Sequence, residues 1–292
     1  MSASEADAQR AQLREGWESA ATGWGARADR IREWGLPVSA WMIDHLGLTP
    51  GQRVLELAAG PGDTGFLAAA LIKARAACPG EPDGTLVCSD GAEAMLEVAR
   101  GRAAKLGIEN VEFTRLELEW IDLPTASVDA VICRWGFMLT VDPGTALGEV
   151  RRVLRPGGRL VLAVWDAPEH NPWATIPGQG LANLELGSPR DLTGPGMFAL
   201  AAPGRLQGLL QGAGFVETLV ETVEVADDYP RLEDYLEETL DLSRLFSEAF
   251  KALSEGQRAD VRDEIARLAQ PYSKPDGALR LPGRSLVAVA EA

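Results

Sequence analysis

Short apolar runs alternate along the middle of the chain with longer stretches in which apolar residues return every three or four positions. RVLELA (53–58), TLVCSD (85–90), VEFTRLEL (111–118), VDAVICRWG (128–136) and RLVLAVWD (159–166) are runs of the first kind. Their shortness and their Val, Ile and Leu content predict strands buried in a sheet. DTGFLAAALIKARAAC (63–78), AEAMLEVARGRAAKLG (92–107) and DPGTALGEVRRVL (142–154) predict helices. Turn signals punctuate the pattern: Pro50-Gly51, the CPGEPDG segment from Cys78, Leu123-Pro124 and Pro156-Gly157-Gly158. Strands that alternate with helices form βαβ units on a parallel sheet. Right-handed crossovers then wind it on both sides, which makes the fold class α/β and doubly wound.

The flanks follow other patterns. Residues 3–47 read as helical: Trp17 and Trp24 lie seven apart, as do Trp34 and Trp41, a spacing that returns to one helix face. Pro37 suits the first turn of a new helix. After the fifth strand, residues 167–202 are rich in Pro and Gly and predict loop with a short helix. A helix over 203–213, a strand FVETLVETVEV (215–225), helices over 231–251 and 255–269, and a last strand SLVAVAEA (285–292) complete the chain.

Composition narrows the class. With 46% hydrophobic and 24% charged residues the chain is in the globular range, and 292 residues suffice for a core without staples. Three scattered Cys (Cys78, Cys88, Cys133) and two distant His (His45, His170) exclude a disulfide framework and predict no metal site. They point to a reducing compartment. The 28 Lys and Arg against 43 Asp and Glu give a net charge of −15, the wrong sign for non-specific nucleic-acid binding. The acidic run over 221–241 reads as a solvated face. No signal segment and no long apolar span is seen, so the expectation is a soluble cytoplasmic protein, monomer or homodimer, with no membrane partner.

The stretch VLELAAGPGDTG (54–65) carries chemistry. A strand ends at Glu56-Leu57, a glycine turn follows and a helix begins near Asp63. Glycines admit a ligand close to the backbone, and a helix start offers free N–H groups. Gly60, Gly62 and Gly65 also satisfy the dinucleotide fingerprint, so an NAD(P) oxidoreductase is a rival reading. Three features favour another cofactor. Glu56, on the strand before the turn, suits an ammonium, which nicotinamide cofactors lack. Asp90, at the end of the next strand, suits ribose hydroxyls in either class and also the capping of the following helix. Glu117 and Glu119 close the third strand, where a carboxylate can accept the adenine amino group and the Leu118 N–H can serve a ring nitrogen. Adenine, ribose and an amino-acid tail together describe S-adenosylmethionine. Against the rival, none of Tyr229, Tyr235 and Tyr272 has Lys four residues later. Arg134 either pairs near the cofactor tail or lays its stem along the surface, and Cys133 reads as a small buried hydrophobe. His170, just past the fifth strand, is a base for a phenol or enol, or a plain loop residue. With Trp173 it is placed in the substrate pocket. His45 reads as structural, and no catalytic residue is singled out.

These motifs resemble the cofactor domain of class I S-adenosylmethionine-dependent methyltransferases, most of all the group of ubiquinone/menaquinone-biosynthesis methyltransferases. ELAAGPG matches the family's acidic-x-Gly-x-Gly-x-Gly with Ala58 in the first glycine's place. SDGAEAMLEVAR (89–100) resembles its D-x-S-x-x-M-L segment, which implies Gly91 and Ala92 near the ribose and Met95 by the adenine. LELEWIDLP (116–124) resembles D-A-E-x-L-P, with Glu117 for the Asp. VDAVICRWGFML, EVRRVLRPGGRLVLAVW, QGAGFVETLVE and LPGRSLVAVAEA match the later strands. The resemblance implies a seven-stranded Rossmann-like sheet of order 3-2-1-4-5-7-6 with the last strand antiparallel, and Trp24 over the methionine end. The cofactor set is thus Trp24, Glu56, Ala58, Gly60, Gly62, Asp90, Gly91, Met95, Glu117, Leu118 and Arg134. The implied division is an N-terminal helical lid (1–47), a cofactor-binding core (48–166), a substrate-side loop, helix and sixth strand (167–229), a helical lid insertion (230–280) and a last core strand (281–292). The implied reaction is methyl transfer to an O, N or C nucleophile of a small apolar or aromatic metabolite. A member of the fold that binds the cofactor without transferring methyl is the other alternative.

Overall fold

A computed structural model describes residues 3–75, 84–187 and 194–292. The expected run of the second helix to Cys78, the CPGEPDG loop and residues 188–193 of the Pro/Gly-rich stretch lie outside the described residues.

Seven strands form one sheet: β1 Arg53–Glu56, β2 Thr85–Asp90, β3 Val111–Arg115, β4 Val128–Arg134, β5 Leu154–Trp165, β6 Val216–Tyr229 and β7 Leu279–Glu291. Their order is β3-β2-β1-β4-β5-β7-β6. The first five run parallel, and β7 is antiparallel to both neighbours. In register, Leu55 of β1 stands between Val87 of β2 and Val131 of β4. All three are buried, as strands covered on both faces must be. The helices are α1 Ala3–Leu46, α2 Asp63–Arg75, α3 Glu93–Leu106, α4 Pro143–Val153, α5 Pro172–Asn183, α6 Arg205–Gly212, α7 Leu232–Leu242, α8 Arg244–Lys251 and α9 Glu255–Ala269.

Local signals fix several boundaries. Gly107 ends α3 in the left-handed conformation (φ 68°). Asp142 accepts the Thr145 N–H ahead of Pro143, which opens α4. Ser254 and Gln257 cap α9 reciprocally.

Elsewhere packing overrides the pattern. Pro37 starts no new helix: α1 runs through it, because Val38 and Met42 just beyond are fully buried and hold the chain on the sheet. β3 stops at Arg115, and Glu117 and Trp120 then pair across a tight turn, so Glu117 and Leu118 sit on a turn rather than a strand. Pro156-Gly157-Gly158 lies inside β5, opposite a register shift between Val128 and Ala130. The helix expected over 231–251 breaks at Ser243, whose hydroxyl accepts the Phe246 N–H and starts α8. β7 begins at Leu279, earlier than the apolar run suggested.

The main core fills both faces of the sheet. A second core, built on Tyr235, Phe246, Phe250, Val261 and Ile265, joins α7, α8 and α9 to α5 and the ends of β6 and β7. A third, small cluster packs Trp17, Ala21 and Trp24 of α1 on Ala92 and Met95 at the start of α3.

Candidate functional site

The carboxyl ends of β1, β2 and β4 open onto a cleft of about 1130 Å³, counted with its mouth. Doubly wound sheets bind ligands at this edge, where the strand order reverses. Trp24, Glu56, Ala58, Gly60, Asp90, Gly91, Met95, Glu117, Leu118 and Arg134 line it. Gly62, His170 and Trp173 do not.

The turn after β1 has three left-handed residues, Ala58 (φ 49°), Gly60 (52°) and Gly62 (87°). A Cβ on Gly60 would meet nothing within 4 Å, so the backbone there is open to a ligand. Gly62 serves the interior instead: a Cβ would stand 2.4 Å from the Phe66 ring. Gly65 makes room for Glu56, since a Cβ there would stand 2.1 Å from Oε2.

Glu56, the last residue of β1, is 3% exposed. Its Oε1 accepts the Gly65 N–H at 2.7 Å, and its Oε2 is buried without a partner. Burial pushes its carboxyl up to about 8. Asp90 ends β2 and accepts the Gly60 N–H on Oδ2 and the Ala92 N–H on Oδ1, each at 2.9 Å. It therefore ties the glycine turn to the start of α3, and burial raises it to about 6.

Arg134 ends β4 with its side chain 10% exposed. Its Nη2 donates to Asp63 Oδ2 at 3.1 Å, its Cζ lies 4.5 Å from the Trp135 ring centroid, and Nη1 is buried without a partner. Desolvation pulls this guanidinium below its ordinary value, against Asp63 and Glu56. Trp135 is held at φ 61°, a conformation bulky residues rarely adopt and one that collects at functional sites. Its Nε1 donates to Ser285 Oγ at 3.0 Å, and its ring stacks on Trp165 and Trp34 at 4.4 and 5.2 Å.

The turn after β3 forms another wall. Glu117 reaches over Gly91, where a Cβ would stand 3.0 Å from its Oε2, and pairs with Arg14 at 3.0 Å. Glu119 accepts the Val141 and Asp142 N–H groups at 2.8 and 3.1 Å and the Arg10 Nε at 2.8 Å, which makes it a brace. Met95 is buried beneath, and the Trp24 indole meets Trp17 edge-on at 5.4 Å with its Nε1 buried and unpartnered.

His170 and Trp173, expected at the substrate pocket, do not line this cleft. Asn171 bonds Arg284, Asp166 and Ala167, and Arg284 pairs with Asp166, so the turn after β5 is tied to β7. Trp173 joins the indole stack behind Trp135, at 5.0 Å from Trp165 and 5.4 Å from Trp34. The cleft is lined instead by Arg10, Leu13, Arg14 and Trp17 of α1 and by Trp135, Leu139 and Val141 beyond β4. Of these only Trp17 had a usable signal, its spacing from Trp24.

Cys88 and Cys133 are buried and free, and burial pushes Cys133 up to about 12, as fits an inert small hydrophobe. Cys78 lies outside the described residues. Among the described residues no His, Cys, Asp and Glu cluster is placed to hold a metal ion, and no helix is long and apolar enough to cross a membrane.

Comparison with known proteins bears on this cleft. A family model for a methyltransferase domain matches residues 48–182. A demethylmenaquinone methyltransferase of Thermus thermophilus is 33% identical over 174 residues, 56% of this chain and 74% of that protein. A ubiquinone/menaquinone biosynthesis C-methyltransferase UbiE of Hahella chejuensis is 35% identical over 127 residues, 43% of this chain and 48% of its own. With this and several other such relatives the match spans about half of their length. Among solved structures, the YcgJ protein of Bacillus subtilis aligns with a TM-score of 0.55 at 19% identity, over 87% of this chain and 97% of its own. The 4+2 cyclase SpnF aligns at 0.52 and 18%, over 87% and 80%. At such identities the structural likeness is one of fold.

Proposed function

The chain belongs to the class I S-adenosylmethionine-dependent methyltransferases and resembles the ubiquinone/menaquinone-biosynthesis group; from that premise we propose that it methylates an O, N or C nucleophile of a small apolar or aromatic metabolite. The observation that carries this reading is a pair of residues that line one cleft and each keep a buried polar atom without a partner, Glu56 with its Oε2 and Arg134 with its Nη1. An amino-acid tail supplies the ammonium and the carboxylate that such a pair lacks. No nicotinamide cofactor does, which separates this reading from the dinucleotide one.

In this reading Glu56 takes the ammonium and Arg134 the carboxylate. Asp90, already holding the open Gly60 turn, has lone pairs left for ribose hydroxyls. Glu117 and the Leu118 N–H face the adenine edge, with Met95 beside it and Gly91 near the ribose, and Trp24 and Ala58 lie at the methionine end. The bound sulfonium supplies an already activated methyl group. What this chain adds is alignment and exclusion of water. Leu13, Trp17, Leu139 and Val141 offer apolar walls to the acceptor. A net charge of −15 supports a small-molecule acceptor over a nucleic acid, and buried free thiols support a cytoplasmic setting.

Calorimetry tests the reading first. S-adenosylmethionine and S-adenosylhomocysteine are expected to bind in the micromolar range, about −8 kcal/mol. Turnover with a panel of quinols, phenols and indoles should release S-adenosylhomocysteine. Binding of NADH in place of both sulfur ligands would sink it.

A further inference from the structure

Asp63 opens α2 directly after the glycine turn, with its side chain 1% exposed. An acid at a helix start ordinarily needs no more account than the helix dipole. This one is shared between two arginines from other elements. Its Oδ1 accepts Arg102 Nη2 of α3 at 2.8 Å, and its Oδ2 accepts Arg134 Nη2 at 3.1 Å. Arg102 in turn reaches Asp29 of α1 at 3.3 Å.

The Arg134 guanidinium is thus gripped from several directions. Asp63 holds Nη2, and the Trp135 face lies 4.5 Å from Cζ. Gly35 of α1 leaves the space that Nη1 needs, since a Cβ there would stand 2.4 Å from it. Nη1 and Glu56 Oε2 are both buried and unpartnered, and the two residues line the same cleft. A guanidinium and a carboxyl left apart in this way form a receptor for a zwitterion, the carboxyl ionising as an ammonium arrives, provided that neither collapses onto the other. Asp63 meets that condition for Arg134: it is the counter-charge that keeps the guanidinium drawn toward α2.

We propose that Asp63 is a positioning residue that holds Arg134 in place for the carboxylate of the cofactor's amino-acid tail, and that Arg102 steadies Asp63 from behind. This rests on the cofactor reading of the cleft.

The test compares two ligands, S-adenosylhomocysteine and 5′-methylthioadenosine, which lacks the amino-acid tail. Calorimetry on the full-length protein should show a clear preference for the first. In Asp63→Asn that preference should shrink about tenfold, the worth of one charge-assisted hydrogen bond, while 5′-methylthioadenosine binds as before. Asp63→Glu should restore part of it. Arg102→Gln should move the preference the same way by a smaller factor, and it supplies the comparison should Asp63→Asn fail to fold. Equal weakening of both ligands would show that Asp63 only supports the cleft, and an unchanged preference in a folded variant would overturn the proposal. A wild-type protein that prefers the tailed ligand while the variants do so equally refutes the role of Asp63 alone. A wild-type protein that binds neither refutes the cofactor reading and this inference with it.

Discussion

Glu56 shows how one buried atom couples binding to pH. Burial raises its carboxyl from the ordinary 4.5 to about 8, so the ligand-free protein holds a proton there at neutral pH. An ammonium placed at the unpartnered Oε2 favours the ionised form. Cofactor binding at pH 7 should therefore release close to one proton, seen as a binding enthalpy that varies with the ionisation enthalpy of the buffer. Affinity should climb by up to about tenfold per pH unit toward pH 8 and flatten above it. Glu56→Gln should remove both effects, and a buffer-independent enthalpy in the wild type would assign Glu56 another role. The same shift has a fixed sign for stability. A raised folded value stabilises fully below about pH 4.5, and that contribution fades as pH climbs through about 8. Ala58 is a second residue with a checkable cost. It stands at φ 49°, in the left-handed region that favours glycine, so Ala58→Gly should raise stability by about 0.5–1 kcal/mol in urea unfolding. Both residues were legible because a strand–glycine-turn–helix sequence states its geometry locally. Asp63 and Trp135 were not legible in their roles, because those depend on Arg102, Arg134 and Ser285, which only the fold brings near.

At the scale of the element, α1 is two things in one helix. From Trp34 onward it is embedded in the main core, and Ser39 Oγ lies 2.9 Å from Thr64 Oγ1 of α2. Its first half rests on the small cluster with α3 and is held at the rim of the cleft by polar contacts. Arg10 meets Glu119 and Arg14 meets Glu117. Glu18 accepts the Glu93 and Ala94 N–H groups, each at 2.9 Å, and so caps α3 from another helix where Ala92 cannot. Exposed ion pairs are worth little singly and weaken with salt. Residues 3–25 should therefore exchange amide hydrogens faster than 30–46 in the free protein and gain protection when S-adenosylhomocysteine is added. Arg10→Ala with Arg14→Ala should speed exchange in the first half without touching the second. Uniform, ligand-independent protection along α1 would mean that the first half is ordinary structure and no cover. The tryptophan spacing announced a helix here, but it did not show that the helix is continuous. The burial that carries it through Pro37 comes from the sheet, which local sequence does not report.

For the whole molecule, the doubly wound α/β class followed from apolar runs and crossover handedness, whereas the strand order, β3-β2-β1-β4-β5-β7-β6, was legible only through the family resemblance. The second core was not legible: the amphipathic stripes of α7, α8 and α9 say that these helices pack, not what they pack on. Their link to the rest runs through a buried polar cluster. Arg30 of α1 pairs with Asp227 of β6 and with Glu238 of α7, and it donates to the Asp228 carbonyl. The Tyr229 hydroxyl lies 2.7 Å from Asp227 Oδ2 and 2.8 Å from Glu238 Oε1. One hydroxyl carries one proton, so it donates to one carboxylate at a time, and the second contact is complete only if a carboxyl holds a proton of its own. Burial supplies the tendency, raising Asp227 from 3.8 to about 6 against the pull of Tyr229 and Arg30. The sign is opposite to that of a surface ion pair. The Asp227 contribution is complete below about pH 4 and is lost as pH climbs through about 6. Asn imitates the protonated acid in shape and never ionises. Asp227→Asn should therefore cost stability at pH 5 and cost less, or gain, at pH 8, a swing on the order of 1–3 kcal/mol. Urea unfolding of both proteins at pH 5, 6, 7 and 8 measures it as a difference, so titrations elsewhere in the chain cancel. A difference that stays flat across this range would show that Asp227 keeps one protonation state throughout, and that the Tyr229 contacts do not depend on its titration.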